Sequence, residues 1–297
     1  MKENKPKVRR EDRIFGLVNG FVMILFAIVM VYPIWYVLAA SFTDYRELMQ
    51  TSGMLLWPKE PTLAAYKMAF KNPLILSSYM NTLFIVVCGT AVSLALSALG
   101  AYFLTREDVK LKRPISLLII LTMYFGGGMI PFYFTVTDLG LEDSLWSQIL
   151  PVAISTFNLI IMRTAFEGIP RSVEESAEID GAGHWGILIR IILPLSGTTL
   201  AVIGLYYGVS YWNSWFNAML FIKDRLKFPL QLVLREILLQ NATNDMMGGG
   251  ADMGEASQIS EAIKYAVIVI ATLPILCVYP FLQKYFVKGV MIGAVKG

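Results

Sequence analysis

Charge and metal-binding chemistry are scarce in this chain. Charged residues are 16% of the 297, with two cysteines and one histidine. A single histidine, His184, cannot build a metal site with partners of its own kind, and no His-Glu-x-x-His sequence occurs. Cys88 and Cys277 both lie inside apolar runs, which reads as core packing rather than a disulfide or a metal pair. No Gly-Lys-Ser/Thr follows the glycines at 248–250, or any others, so the chain has no phosphate loop and is not expected to hydrolyse ATP itself. A catalytic role is not expected either, because no dyad of acid, base or nucleophile is visible in the apolar runs. The net charge of +3 comes without a basic patch interleaved with aromatics, which argues against nucleic acid. No Asp, Glu, Lys or Arg interrupts the long apolar runs, which argues against a proton- or ion-driven carrier. An internal repeat of the kind many secondary transporters carry is also missing.

What is abundant is apolar surface, at 56% of residues. Charge-free runs cover 14–43, 72–105, 114–137, 144–162, 191–222 and 265–283, each of 19 residues or more. About 20 apolar residues cross a hydrocarbon core as a helix, so an all-α membrane protein with six transmembrane helices is predicted. Ile14 to Phe42 is too long for the apolar part of a signal peptide and reads as an uncleaved first span kinked at Pro33. Placing the N-terminus in the cytoplasm puts 16 of the 25 lysines and arginines inside, although the outer loops are longer. Both termini are therefore expected in the cytoplasm: a polar segment 1–13, a six-helix transmembrane bundle 14–286 and a tail 287–297.

Between the first two spans, 43–76 forms an external segment. Trp57-Pro58 and Pro61 break any long helix there, and Leu63 to Phe70 reads as a short interfacial one. The second span, about 77–104, opens with Asn81-Thr82 and carries Gly89, Ser93, Ser97, Ala98, Gly100 and Ala101, small residues that favour close packing in lipid. The third, about 115–136, contains Gly126-Gly127-Gly128 and Pro131; a kinked helix lining a pathway and simple close packing are both open. The fourth, about 145–165, places Ser155, Thr156 and Asn158 near mid-membrane. In the fifth, about 196–222, Tyr207, Tyr211 and Trp215 recur every four residues, with Ser210, Asn213, Ser214 and Asn217 on an adjacent face. Amides are costly in lipid, so that face should look at a bundle interior or a water-filled cavity. Rings to stack on beside hydrogen-bonding groups suit a sugar; an aromatic belt with interhelical hydrogen bonds is the alternative. Residues 223–263 form a long outer loop, and the sixth span follows at about 266–282.

The most acidic island lies at Pro170–Pro194, where Glu174, Glu175, Glu178 and Asp180 crowd together between two apolar runs. Ser172 and Glu175 have capping-box spacing, which starts a helix. Gly181 and Gly183 end it after about two turns. His184 to Leu193 reads as a second short helix with Trp185, Leu188 and Ile192 on one face. Glu175-Ser176-Ala177, then Gly181, then Ile191, Leu193 and Pro194 resemble the EAA loop of binding-protein-dependent ABC importer permeases, with Ser176 in place of the usual first alanine. The ending Lys284 to Gly297 is similar to the C-terminus of the carbohydrate branch of that family, related to the smaller permease of the maltose importer.

That resemblance implies a helix-turn-helix coupling loop between helices 4 and 5, seated on a cytoplasmic ATPase, with Glu175, Ser176, Ala177, Asp180, Gly181, Gly183 and His184 as contact candidates. For His184 a plain surface position is the competing reading. Gly293, Lys296 and Gly297 would be the tail's contact with the ATPase. The implied assembly contains a second homologous permease, two ATPase subunits that bind ATP and Mg, and an extracytoplasmic sugar-binding protein, all in a bacterial cell membrane. This chain would bind no cofactor. It would translocate a sugar or oligosaccharide by alternating access, with Tyr207, Ser210, Tyr211, Asn213, Ser214, Trp215 and Asn217 as pathway candidates. A permease for an amino acid or polyamine, or a membrane assembly protein without transport, stays open.

Overall fold

The computed structural model describes residues 10–50, 53–246, 263–278 and 280. Every regular element among them is helical. The chain divides into two compact units, Met1–Lys71 with Leu238–Ile270, and Asn72–Ile237 with Ala271–Gly297.

The first unit begins with α1 (Arg10–Ser41), which is apolar on every side. Phe15, Leu17, Phe21 and Met30 are more than half exposed. A helix apolar all round needs lipid or protein around it. Pro33 sits inside α1 without interrupting it. The helix end is tied down locally: Thr43 donates to the Ala39 carbonyl at 2.8 Å, Ser41 pairs with the Tyr66 hydroxyl at 2.8 Å, and the Trp35 indole donates to the Leu56 carbonyl at 2.6 Å. After the short α2 (Tyr45–Gln50), residues 53–63 carry no helix, as Trp57-Pro58 and Pro61 predict. The expected interfacial helix is α3 (Ala64–Lys71).

The second unit is built on α4 (Pro73–Thr105), started by Pro73 and by the Asn72 side chain, which accepts from the Leu74 N–H at 3.0 Å. Its small residues form the contact with α11 (Gly197–Trp212) and α7 (Thr156–Glu167). A Cβ on Gly89 would lie 2.8 Å from the Tyr211 ring, and one on Gly100 would lie 3.0 Å from Leu159. Ser93 and Ser97 complete the seam by pairing with the hydroxyls of Tyr211 at 2.8 Å and Tyr207 at 2.7 Å. Interhelical hydrogen bonds of this kind are worth about 0.6 kcal/mol on average in a bilayer. The core around the seam holds Ile85, Ala101, Leu159, Met162, Phe166, Ile187, Ile192 and Ile203.

Three expected spans are broken rather than continuous. The third divides into α5 (Lys112–Tyr124) and α6 (Met129–Asp138), bent by 116°. Gly128 at φ +85° is the hinge, a conformation that side chains disfavour. The fourth begins as two 3-10 turns, Leu145–Gln148 and Leu150–Val152, then bends by 53° into α7. Pro151 lacks the N–H a continuous helix would use, and the Ser155 side chain caps α7 by accepting from Asn158 N–H at 3.4 Å. The fifth follows α8 (Arg171–Ile179), α9 (His184–Ile187), a π turn at Leu188–Ile192 and α10 (Leu193–Leu195). That run meets α11 at 83°, and α11 stops at Trp212, short of the predicted Ile222. Asn213 caps it, and α12 (Phe216–Phe221) resumes beyond.

The outer loop is also more ordered than predicted, because α13 spans Leu230–Met246. Leu230, Leu232 and Val233 are buried, so its start is tertiary structure rather than a solvated connection. The glycines at 248–250 lie outside the described residues. The last helix, α14 (Ile263–Val278), is apolar but short. Cys88 is half-buried against the α4 core, whereas Cys277 is exposed on α14, which corrects its reading as core; both are free.

By length and composition, two helices, Asp12–Ser41 and Pro73–Thr105, can each cross a membrane. Counting each bent pair as one span raises that to five.

Candidate functional site

Two polar regions of the second unit contain the residues singled out from the sequence. The first is the acidic hairpin. Its helix α8 starts two residues earlier than the capping box predicts: Pro170 is the N-cap and Ser172 lies inside the helix, so no side chain caps it. The Ser172 hydroxyl is thus displaced from the N-cap position its spacing suggested. The C-terminal stop is as predicted at Gly181, which has φ +82°. Ala182 N–H donates to the Ala177 carbonyl at 2.9 Å and Gly181 N–H to the Glu178 carbonyl at 3.0 Å, the crossed pair of a Schellman end. Gly183 differs: at φ −77° it is the N-cap of α9 and does not end α8.

Glu175, Ser176, Glu178, Asp180, Gly181, Gly183 and His184 are exposed, and Ala177 is half-buried. Glu174 is the exception. Its carboxylate meets Arg106 at 2.5 Å, with side-chain exposures of only 11% and 17%. Arg106 caps the end of α4 and lies over the Tyr102 ring at 4.3 Å. Burial pulls the Arg106 pKa down, but the hydrogen bond and charge of Glu174 more than reverse this, so the guanidinium stays charged. A second, exposed pair joins Arg171 to Glu107. The hydrogen bond and charge of Arg171 lower the Glu107 pKa. The hairpin is therefore fastened to the end of α4 as well as being continuous in sequence with α9.

A cavity of about 590 Å³ opens beside this joint, lined among others by Arg106, Lys112, Arg171, Glu175, Glu178 and His184. Two apolar side chains of the hairpin are exposed, Ile179 at 87% and Trp185 at 67%. Trp185 thus does not share the buried face of Leu188 and Ile192 that the helical spacing predicts; a π turn begins at Leu188, and of those three residues Leu188 and Ile192 are buried. Ile179 and Arg106 were not singled out from the sequence, and Glu174 stood out only as one of four crowded carboxylates. The signals were an isoleucine among carboxylates and a basic residue ending a span.

The second region lies where α11 ends. Tyr207 and Tyr211 share a face as predicted, but both are buried and spend their hydroxyls on Ser97 and Ser93. Tyr207 also accepts from the Ser155 N–H at 3.0 Å. Tyr207 therefore packs the seam, and Trp215 lies past the helix end, so the three aromatics do not form one stripe. The break has another effect. Ser210, Tyr211, Asn213, Ser214, Trp215 and Asn217 converge, with Val152 and Phe216, around one cavity of about 240 Å³. Asn213 donates back to the Val209 carbonyl at 2.9 Å. The side chains of Ser210, Ser214 and Asn217 make no hydrogen bond to the other described residues. Arg235, on the unpredicted helix α13, places its guanidinium 3.8 Å from the centroid of the Trp215 ring.

A clamp holds the far end of α12. Asp143, at φ +53°, donates its N–H to the Phe221 carbonyl at 2.8 Å. One carboxylate oxygen accepts from the N–H groups of Lys223 at 3.1 Å and Asp224 at 3.0 Å, and the other meets Lys227 at 2.7 Å. The Lys227 hydrogen bond and these backbone donors lower the Asp143 pKa from 3.8 to about 2. Asn81 and Thr82 of α4 secure the same loop: Asn81 donates to the Leu226 carbonyl at 2.7 Å, and Thr82 accepts from Leu230 N–H at 2.8 Å.

No group of three or more metal-ligating side chains occurs among the described residues. The tail candidates Gly293, Lys296 and Gly297 lie outside them.

No family model matches the chain. Two curated proteins of Bacillus subtilis (strain 168) are similar over almost its whole length. The polygalacturonan/rhamnogalacturonan transport system permease protein YtcP is 45% identical, covering 97% of this chain and 100% of YtcP. Protein LplC is 46% identical over 97% of both. Among solved structures, a chain from the crystal structure of a bacterial ABC transporter involved in the import of the acidic polysaccharide alginate aligns with a TM-score of 0.85 at 35% identity, covering 95% of this chain and 100% of that one. With the all-helical fold, its apolar helices and the acidic hairpin, these likenesses establish that the chain belongs to the membrane permease subunits of ABC sugar importers.

Proposed function

We propose that this permease carries an oligosaccharide, delivered by an extracytoplasmic binding protein, across the membrane by alternating access. It would do so beside a second homologous permease and on two ATPase subunits that hold ATP and Mg. In this reading the chain makes six spans with both termini in the cytoplasm, which would put the 173–190 loop on the ATPase side and the 213–217 break toward the outside. The observation that carries the mechanism is the fastening of the hairpin. Its exposed face offers Glu175, Ser176, Glu178, Asp180 and the apolar Ile179 and Trp185, a mixture of charge and buried-on-binding surface suited to a protein groove. Its inner face is locked to α4 through Glu174 and Arg106. A displacement of the hairpin would therefore move α4 as well as the α9–α11 run, and two connected levers turn a local push into rotation of packed helices.

The outer cavity favours a sugar. It joins an indole, a phenol and four side chains bearing amides or hydroxyls. At about 240 Å³ it lies below the roughly 300–1,000 Å³ of a drug-sized ligand site, so it fits one sugar unit of a longer chain rather than the whole. The guanidinium of Arg235 over the Trp215 ring, with no carboxylate on it among the described residues, counts against a polyamine. In the same framework, the last residues, Gly293, Lys296 and Gly297, remain candidates for contact with the ATPase.

The test is transport by the assembled importer in proteoliposomes. Glu175→Lys should abolish sugar uptake while the complex keeps hydrolysing ATP and the chain keeps its abundance in the membrane. Normal uptake by this variant would remove the hairpin from the coupling path.

A further inference from the structure

The cations of the outer segment are neutralised one by one. Lys223 pairs with Glu142 at 2.9 Å, Arg225 with Glu236 at 2.5 Å, and Lys227 with Asp143 at 2.7 Å. Arg235 departs from this pattern. It meets no carboxylate among the described residues, although Glu236 is its neighbour in sequence. Its guanidinium lies over the Trp215 ring instead. Burial does not force that arrangement, since Arg235 is exposed. A guanidinium resting on an indole is restrained in orientation but keeps its N–H donors and its charge for a further ligand.

That ligand site is already partly built. Trp215 lines the cavity at the α11–α12 break, where the polar groups of Ser210, Ser214 and Asn217 are unspent. Hydroxyls from one sugar ring can satisfy those groups, and a planar carboxylate is the partner that a guanidinium fork matches best. We propose, on the sugar-permease reading above, that Trp215 and Arg235 form a subsite for an acidic sugar unit, a uronate. The ring's hydroxyls face Asn213, Ser214 and Asn217, and its carboxylate takes the charge of Arg235. Arg235 is then the residue that selects acidic over neutral oligosaccharide. The clamp at Asp143 and the α13 packing through Leu230 keep the two halves of the subsite in register.

The experiment is equilibrium binding to the purified permease–ATPase assembly without its binding protein, so that selection upstream does not enter. The probes are tri-galacturonate and its methyl ester, which differ only in charge at the carboxyl. The wild type should bind the acid about tenfold more tightly, and raised salt should erase the difference. Arg235→Gln should abolish the preference, so that acid and ester bind with equal affinity. Arg235→Lys, which keeps the charge but not the fork, should fall between. Unchanged thermal unfolding of the variants confirms that the fold is intact. Equal binding of acid and ester by the wild type, or full discrimination by Arg235→Gln, would overturn the proposal. Binding of neither probe to an assembly whose cells do import oligosaccharides would also overturn it, while leaving the sugar-permease reading in place. Failure of cells carrying the whole system to import any oligosaccharide would overturn both.

Discussion

Two carboxylates show how differently one residue type works in this chain. Glu175 is exposed and free for a partner, whereas Glu174, one position earlier, is turned onto Arg106 and nine-tenths buried. Removing one partner of a buried ion pair costs about 3–5 kcal/mol, much of it from the charge left behind. Arg106→Glu and Glu174→Arg are each expected to cut uptake at least tenfold, and the double exchange to restore much of it. Failure of the double exchange, with both singles still folded, would reduce the pair to packing. Asp143 supplies a pH prediction. Its folded pKa of about 2 lies below its ordinary 3.8, so its contribution is complete above about pH 4 and is lost as the pH falls through 2. Amide hydrogen exchange at Lys223 and Asp224, corrected for intrinsic rate, should therefore be equally slow at pH 7 and pH 5. In Asp143→Asn it should be faster at both. Equal protection in the variant would show that the clamp does not depend on the carboxylate.

At the scale of elements, what could be read in advance was what local chemistry decides. Gly181 ends α8 because the chain must turn left-handed there, and the pattern of a glycine after a short acidic helix says so. Gly183 looks identical in sequence but has an ordinary φ, which only the structure distinguishes. Gly181→Val is accordingly expected to destabilise the hairpin by about 1–2 kcal/mol and to depress uptake. Gly183→Ala, with nothing within 4 Å of its new Cβ, should be neutral in both thermal unfolding and transport. The small residues of α4 were legible as a close-packing stripe, and Gly89 and Gly100 prove to be points of contact. The breaks in the third, fourth and fifth spans were harder to foresee. A run of apolar residues is scored by length, and lipid-facing composition is the same whether the backbone bends or not. The bend at Asn213–Trp215 depends on groups distant in sequence: the Ser93 and Ser97 contacts that end the buried face, and the Arg235 contact beyond. The hidden partner of Trp215 lay on α13, whose apolar residues are too few for a span signal. Helical propensity over 230–246 was overshadowed by the nearby glycines.

For the molecule as a whole, composition and the spacing of apolar runs were enough to place it in a membrane, because no soluble core accounts for α1, whose apolar window is entirely unburied. The relation between its parts was not readable in that way. The hairpin's fastening to α4 joins residues 68 positions apart, and such pairs leave no trace in periodicity. The cavity at the α11–α12 break and the acidic hairpin lie within one unit, linked by α11 and α4, which the proposal reads as a sugar-facing and an ATPase-facing end. That linkage is the central claim, and its cytoplasmic end is the most direct to test. We would place a photo-crosslinking amino acid at Ser176, on the exposed face of α8, in the intact importer in its native membrane. The account predicts a crosslink to the ATPase subunit, in contrast to a probe at Met219 on α12, which the proposal puts on the opposite side. A Ser176 probe that fails to reach the ATPase, or a Met219 probe that does reach it, would contradict the assignment of the hairpin as the coupling element.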